Sequence, residues 1–185
     1  MISAIVLAAG ESTRFGACKQ LALAAGKPVL QRTLDALRAS DVDDVVVVLG
    51  AHASEILERI EFRNERIVVN PDYANGMSTS IREGIRAVDC EAAFVVLGDQ
   101  PFVSARTYGL LIDEYRRSRA PIVVPAFEGR RGNPVLIDRS LFGEAALLRG
   151  DTGFRAIFAN HALTTVAVDD RGILRDVDTA ADLQC

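Results

Sequence analysis

The chain reads Ile5-Val6-Leu7-Ala8-Ala9-Gly10-Glu11-Ser12-Thr13-Arg14-Phe15-Gly16-Ala17-Cys18-Lys19 near its beginning. The apolar residues at the front of this stretch predict a buried strand, and the small residues up to Gly10 predict a tight loop after it. Small residues allow the backbone to approach a ligand closely, so that its N–H groups face phosphate oxygens. Arg14 and Lys19 add positive charge where a polyphosphate would lie. The stretch therefore predicts a strand followed by a loop that binds the phosphates of a nucleotide.

Two common phosphate-binding loops do not match this stretch. A Walker A loop has four residues between its glycines and a lysine followed by Ser or Thr. Here five residues separate Gly10 from Gly16, and Gln20 follows Lys19. The dinucleotide fingerprint requires a second glycine two residues after the first, where this chain has Ser12. An ordinary strand-to-helix loop with two solvated cations is the alternative interpretation.

Strand-like and helix-like segments alternate along almost the whole chain. The apolar runs at 44–50 and 92–97 are typical of strands that are covered on both faces of a parallel sheet. Helices are expected at 28–39 and 78–87, with shorter ones near 140–148 and 153–159. The alternation predicts an α/β fold, a Rossmann-like three-layer α/β/α arrangement around a mostly parallel sheet. A chain of 185 residues is expected to form a single domain, residues 1–185.

The composition excludes several classes of protein. A formal net charge of −4 argues against nucleic-acid binding, which requires a basic face. No apolar segment approaches the length of a membrane span. The three cysteines, Cys18, Cys90 and Cys185, form no disulfide pattern, and the N-terminus lacks the basic region of a signal peptide. We therefore expect a cytoplasmic protein that binds neither nucleic acid nor membrane.

Two acidic motifs are candidate metal ligands. Ligands bind beyond the carboxyl ends of strands in open parallel sheets, so the loops starting at Gly10, Asn70, Gly98 and Gly129 are predicted to share one cleft. Asp99 ends a predicted strand, and a carboxylate facing a triphosphate there is suited to hold Mg²⁺. The alternative is a turn aspartate before proline. The second motif is the pair Asp176 and Asp178. One of these carboxylates would complete the magnesium shell, or Asp178 would cap the last short helix.

Three further loops carry polar groups suited to ligands. Residues 75–80 place backbone and hydroxyl groups at a helix start, where they suit a base edge or a phosphate, with helix capping as the alternative. Residues 129–134 combine two arginines with flexible backbone, either to hold an anionic acceptor or as a solvated hairpin turn. Residues 150–155 similarly offer a helix start and an arginine.

In this order and spacing, these motifs resemble the MobA-like NTP transferases, and among them most closely the molybdenum cofactor cytidylyltransferases. The resemblance covers nearly the whole chain. It rests on Leu7-Ala8-Ala9-Gly10 with Ser12, Arg14 and Lys19, on residues 70–80, on Leu97-Gly98-Asp99-Gln100-Pro101, on residues 131–136 and 150–153, and on Asp176-Val177-Asp178-Thr179.

The resemblance implies a Mg²⁺-dependent enzyme that transfers CMP from CTP to the terminal phosphate of molybdenum-loaded molybdopterin and releases pyrophosphate. The predicted catalytic residues are Arg14, Lys19 and Asp99, and the predicted metal ligands are Asp99 and Asp178. Nucleotide binding is expected of Leu7, Ala8, Ala9, Gly10, Ser12, Gly76, Ser78 and Ser80. Acceptor binding is expected of Arg131, Gly132, Asn133, Gly150, Asp151, Gly153 and Arg155. A molybdoenzyme or its chaperone is the implied partner.

The resemblance specifies the nucleotide better than the acceptor. Guanylyl-transferring relatives typically have a second glycine where Ala9 stands, so Ala9 favours cytosine. Cys18, Asn133, Thr152 and Phe154 differ from the usual residues of the family, and the last three fall in loops expected to meet the acceptor. The alternatives are transfer to a sugar or polyol phosphate, a non-catalytic nucleotide-binding accessory protein, and a Rossmann-type oxidoreductase, which the missing glycine pattern disfavours.

Overall fold

A computed structural model describes residues 1–183, apart from the side chain of Arg155. Cys185 lies outside this range. The strands, in chain order, are β1 (Ile2–Ala8), β2 (Leu23–Ala24), β3 (Lys27–Pro28), β4 (Asp44–Leu49), β5 (Arg66–Val69), β6 (Ala92–Leu97), β7 (Ile122–Phe127), β8 (Arg130–Arg131), β9 (Val135–Asp138) and β10 (Leu163–Ala167). The α-helices are α1 (Val29–Arg38), α2 (Ala53–Arg59), α3 (Met77–Ala87), α4 (Ala105–Ser118) and α5 (Phe142–Ala145).

The central sheet has the strand order β10-β7-β9-β6-β1-β4-β5, with β8 paired to β7. Strand β1 runs parallel to β4 and β6, β4 parallel to β5, and β7 parallel to β10. Strand β9 runs antiparallel to both β6 and β7. Only residues 128–134 connect β7 to β9, and a parallel crossover needs about a dozen residues or more. The predicted mostly parallel α/β sheet is confirmed, with β9 as an antiparallel insertion.

Alternation along β1 divides the core into two layers. Ile2, Ala4 and Val6 join the cluster that contains apolar residues of α1 and α4, and Ile5 packs on the opposite face. This is the period of two that a strand buried on both faces requires. Helix α3 packs against that second face through Ile81 and its neighbours. The three-layer arrangement predicted for the chain is therefore present.

The shorter helices differ from the sequence-based expectation. The segment expected at 140–148 forms a 3-10 turn at Arg139–Leu141 followed by the four-residue α5, and the segment near 153–159 is a 3-10 helix, Phe154–Asn160. Further 3-10 turns are Lys19–Leu21, Tyr73–Asn75, Arg171–Leu174 and Ala180–Leu183. Among residues 1–183, no helix is both long enough and apolar enough to cross a bilayer.

Candidate active site

The parallel pairing of β1 and β6 brings the glycine loop and Asp99 to the same edge of the sheet. Leu7 lies opposite Leu97 in the register of the two strands. The N–H of Gly98 donates to the carbonyl oxygen of Leu7 at 2.9 Å. Because both strands end here, the loop after β1 and the acidic turn after β6 begin side by side. This edge carries the candidate site.

Ser12 organises the loop after β1. It has a left-handed backbone conformation with a φ of 55°, and its carbonyl oxygen accepts the N–H groups of Phe15 and Gly16 at 2.9 and 3.1 Å. Its hydroxyl oxygen accepts the backbone N–H of Lys19 at 3.2 Å. The loop thus closes on Ser12 and fixes the backbone from which the Lys19 side chain extends.

The Lys19 ammonium lies between two carboxylates. Its Nζ is 2.5 Å from Oδ2 of Asp99 and 3.2 Å from Oδ1 of Asp178. The side chains of Lys19 and Asp99 are 14% and 20% exposed, whereas that of Asp178 is 47% exposed. The structure places the carboxylate of Asp178 on Lys19, and its role as a metal ligand stays a prediction. A lysine from the loop after β1 therefore meets both acidic motifs.

Arg14 is a second, more exposed cation beside the same carboxylates. Its Nη1 lies 3.6 Å from Oδ2 of Asp178, and its side chain is 80% exposed. An exposed pair of this kind contributes little to stability. Arg14 also lines a cavity of about 190 Å³ together with Lys19 and Asp178. Its guanidinium is therefore available to an anion that enters from solvent.

The charges of Lys19 and Asp99 influence each other's proton affinity. Burial lowers the pKa of Lys19, but the carboxylates of Asp99 and Asp178 outweigh burial and hold that pKa above its usual value. Lys19 is therefore cationic at neutral pH. Burial raises the pKa of Asp99, Lys19 opposes this rise without cancelling it, and Asp176 and Asp178 add to it. A buried carboxylate with a raised pKa is stabilised by a further cation that approaches it.

One carboxylate oxygen of Asp99 lacks a partner in the part of the chain that the structure describes. Its Oδ1 is buried and accepts no hydrogen bond from the described residues, and such an oxygen is costly unless a ligand satisfies it. Residues 1–183 contain no cluster of three His, Cys, Asp or Glu side chains that could hold a metal ion by themselves. Mg²⁺ binds readily to one or two carboxylates together with phosphate oxygens. The carboxylates of Asp99 and Asp178 fit a metal ion that shares phosphate ligands.

A cavity of about 470 Å³ opens beside these charges. Asp99 and Lys19 line it, together with most of the predicted nucleotide-binding residues: Leu7, Ala9, Gly10, Ser12, Gly76 and Ser80. Ala8 and Ser78 are buried and do not contribute to its lining. The other lining residues are Glu11, Thr13, Gln20, Tyr73, Ala74, Met77, Leu97 and Asp176. From the sequence, Asp176 is a candidate metal ligand, and the rest have no individual role in the site. Tyr73, Ala74 and Met77 fall within residues 70–80, one of the motifs on which the resemblance rests.

The loop at Gly150 and Asp151 packs against the start of α3. The N–H of Ser78 donates to the carbonyl oxygen of Gly150 at 3.1 Å, and the N–H of Met77 donates to Oδ1 of Asp151 at 3.3 Å. Gly76 has a φ of 104°, and a Cβ there would overlap the Gly150 backbone. The part of the 470 Å³ cavity that is lined by Gly76, Met77 and Asp151 is therefore formed by two segments in close backbone contact.

A second cavity, of about 290 Å³, adjoins the first through Met77, Leu97, Asp151 and Asp176. Among the predicted acceptor residues, Asn133, Asp151 and Gly153 line it. Its remaining lining is apolar, from Ile81, Val95, Val135 and Phe154. Phe154 lies in a loop that is expected from the sequence to meet the acceptor, and the sequence assigns the other three residues no role in the site. We refer to this space as the acceptor cavity.

The other predicted acceptor residues lie elsewhere. Arg131 is exposed in β8 and does not line the acceptor cavity. Gly132 packs against the backbone of Ile173, and Gly150 contacts α3 as described above. The side chain of Arg155 lies outside the described part of the chain. The loops from Gly10, Asn70 and Gly98 therefore meet in one cleft, while the loop from Gly129 reaches it through Asn133.

The chain is similar throughout its length to known proteins. Residues 4–166 match the MobA-like NTP transferase domain. The nicotine blue oxidoreductase of Paenarthrobacter nicotinovorans is 30% identical, with 98% of this chain and 94% of that protein aligned. The molybdenum cofactor cytidylyltransferase of Escherichia coli K12 is 28% identical, with 98% of this chain and 93% of that protein aligned. The crystal structure of Rv0371C from Mycobacterium tuberculosis in complex with manganese superposes with a TM-score of 0.84 at 31% identity. The superposition covers 98% of this chain and 95% of that chain.

Proposed function

Because the chain belongs to the MobA-like NTP transferase family, we propose that it transfers CMP from CTP to the terminal phosphate of a molybdenum-loaded pterin and releases pyrophosphate. One observation carries this proposal. The Lys19 ammonium stands between Asp99 and Asp178 at the wall of a cavity of about 470 Å³, a size typical of small-molecule sites.

The reaction is an in-line displacement at the α-phosphorus without a covalent enzyme intermediate. The attacking phosphate is already anionic at neutral pH, so it needs no strong base. The barrier comes from bringing two anions together and from the charge that builds on the leaving pyrophosphate. Lys19 and Arg14 supply fixed positive charge against both effects, and the two cavities hold the reactants next to each other.

Asp99 and Asp178 are the residues that would hold Mg²⁺. When bound, the ion neutralises phosphate charge and polarises the phosphoryl oxygens. The unpartnered Oδ1 of Asp99 supports this assignment, as does the manganese complex of the similar Rv0371C.

Ala9 favours CTP as the nucleotide, and the acceptor cavity favours a pterin as the acceptor. Ala9 lines the cavity of about 470 Å³, which we call the nucleotide cavity. The similarity to the E. coli cytidylyltransferase supports cytosine as the base bound there. The apolar lining of the acceptor cavity is suited to a planar ring, which a pterin provides and a polyol phosphate does not. A cytoplasmic location and a molybdoenzyme or its chaperone as recipient stay predictions from the sequence.

Pyrophosphate release tests the proposal. CTP, GTP, ATP and UTP are each supplied with Mg²⁺, with and without molybdenum-loaded pterin. We expect release with CTP that depends on the pterin. Preference for a sugar or polyol phosphate in parallel assays would assign another acceptor, and a strong preference for GTP would overturn the inference from Ala9. Binding of CTP and Mg²⁺ without pyrophosphate release for any acceptor would indicate an accessory protein.

The 30% identity to nicotine blue oxidoreductase over 98% of the chain favours one second candidate, the Rossmann-type oxidoreductase that is among the alternatives from the sequence. The apolar acceptor cavity would then hold a planar organic substrate. Titration with NADH and NADPH separates the two candidates. The proposed transferase binds neither cofactor tightly, whereas tight binding together with consumption of NAD(P)H would favour the oxidoreductase.

A further inference from the structure

The position of Lys19 conflicts with the position of a metal ion. Its ammonium lies 2.5 Å from Asp99 and 3.2 Å from Asp178, the two residues proposed to hold the metal. A divalent cation bound by the same carboxylates would lie close to the ammonium, and two cations at such a separation in a poorly solvated site repel each other strongly. Binding of the metal ion to both carboxylates is therefore unfavourable while the ammonium stays in place.

We propose that Lys19 is an internal counter-cation, which keeps free divalent metal out of the site until a nucleoside triphosphate draws its ammonium away. The ligand of the site is then the metal–nucleotide complex, and the free ion binds poorly. This inference rests on the proposed function, because it assumes that Asp99 and Asp178 are the metal ligands.

The number of protein ligands supports the same order of binding. No cluster of three metal-binding side chains exists among residues 1–183, so a metal ion held by Asp99 and Asp178 needs further oxygen donors. A triphosphate supplies those oxygens. The triphosphate also offers the Lys19 ammonium negative charge in place of the Asp99 carboxylate. Arg14, which lies beside Asp178, adds positive charge that attracts the triphosphate.

The local structure allows Lys19 to change partners. Its backbone N–H is held by the Ser12 hydroxyl, and Lys19 lines both the nucleotide cavity and the neighbouring cavity beside Arg14. Rotation of its side chain therefore moves the ammonium from Asp99 towards either space without a change in the loop backbone.

The chain offers a matched control for this proposal. It contains two lysines, Lys19 and Lys27, and Lys27 also pairs with an aspartate, its Nζ lying 2.5 Å from Oδ2 of Asp35. Lys27 does not line the nucleotide cavity or the two cavities that adjoin it. Lys19→Met and Lys27→Met each remove one positive charge that is paired with aspartate. The pair of Lys27 is more exposed and lies outside the proposed site.

The experiment measures Mn²⁺ binding at equilibrium by electron paramagnetic resonance, which detects the free ion. Wild type, Lys19→Met and Lys27→Met are titrated without nucleotide and with CTP. We expect Lys19→Met to bind free Mn²⁺ at least about tenfold more tightly than wild type, a common size for coupling between two sites. Lys27→Met should behave as wild type. CTP should raise the Mn²⁺ affinity of wild type by a larger factor than that of Lys19→Met.

Equal or weaker binding of free Mn²⁺ by Lys19→Met would overturn the proposal. Lys19→Gln provides a second test if Lys19→Met does not fold, as judged by its unfolding transition. The variant Asp99→Asn distinguishes failure of the counter-cation proposal from failure of the proposed function. If Asp99→Asn binds Mn²⁺ with CTP as well as wild type does, the metal site itself is misassigned. If it does not, and Lys19→Met still gains no affinity, only the counter-cation is wrong.

Discussion

The backbone N–H of Val177 donates a hydrogen bond of 2.9 Å to the carbonyl oxygen of Asp99. This bond joins the acidic turn after β6 to the acidic segment near the C-terminus. Val177 is buried and packs with Ala24 and Val29, so the segment is anchored on its other side as well. Two carboxylates that are 79 positions apart in the sequence therefore reach the same ammonium of Lys19.

Loss of Lys19 should affect catalysis more than stability. We expect Lys19→Ala to lower the turnover number for pyrophosphate release by about 10²-fold or more, as for removal of one group that stabilises transition-state charge. Lys27→Ala, which removes the other lysine, should retain wild-type turnover. Nearly normal release by Lys19→Ala would exclude Lys19 from the mechanism.

Gly76 should be sensitive even to alanine. Its φ of 104° is unfavourable for a side chain, and a Cβ would overlap the backbone of Gly150. We expect Gly76→Ala to lower the free energy of unfolding by about 1–3 kcal/mol and to weaken CTP binding, measured by denaturation and calorimetry. Gly143→Ala is the control, because a Cβ at Gly143 meets no atom within 4 Å. Equal effects of the two substitutions would contradict this explanation.

Ala9 should influence the choice of base. Ala9 lines the nucleotide cavity, and a glycine at this position would remove a methyl group next to the space that a purine needs. We expect Ala9→Gly to raise kcat/KM for GTP relative to CTP by about tenfold, since a methyl group in a pocket commonly contributes 10–200-fold discrimination. Competition assays measure this ratio directly. Ala17→Gly, in the same loop but outside the cavity lining, should leave the ratio unchanged, and an unchanged ratio for Ala9→Gly would refute the assignment.

Because of the buried pair of Arg38 and Glu65, the free energy of unfolding should depend on pH in the acid range. Nε of Arg38 lies 2.7 Å from Oε1 of Glu65, whose side chain is 4% exposed. Burial opposes the shift, but hydrogen bonds from Arg38 and from the Arg63 backbone hold the pKa of Glu65 below 4.5. A lowered pKa in the folded state stabilises the protein fully above the unfolded-state pKa, and this stabilisation is lost as pH falls through the folded-state value.

We therefore expect Glu65→Gln to lower the free energy of unfolding by about 1–3 kcal/mol at neutral pH. The difference from wild type should shrink as the pH falls below about 4.5. Urea denaturation across this range measures the effect, with the exposed Glu58→Gln as control. A difference that stays constant into acid would show that the Glu65 charge is not responsible.

The sequence allowed the sheet and its functional edge to be predicted, but not the walls of the site. The uniform apolar run of β6 predicted both its bounds and the position of Asp99 after it. The direction of β9 depends on the short connection from β7, a geometric limit that apolar patterning does not express. Arg131 lies in the two-residue strand β8, where a shift of one residue reverses the face of every side chain. Ile81 and Val95 line the acceptor cavity as ordinary apolar residues, so no chemical signal distinguishes them from the core.

The central claim is that Lys19 and Asp99 both serve the triphosphate. A crystal structure with a non-hydrolysable CTP analogue and Mn²⁺ tests this most directly, because the anomalous signal locates the metal. We predict a Mn²⁺ peak at coordination distance from Asp99 and from phosphate oxygens, with the Lys19 ammonium moved from Asp99 to the triphosphate. An intact pair of Lys19 and Asp99, with nucleotide and metal bound elsewhere, would contradict the account.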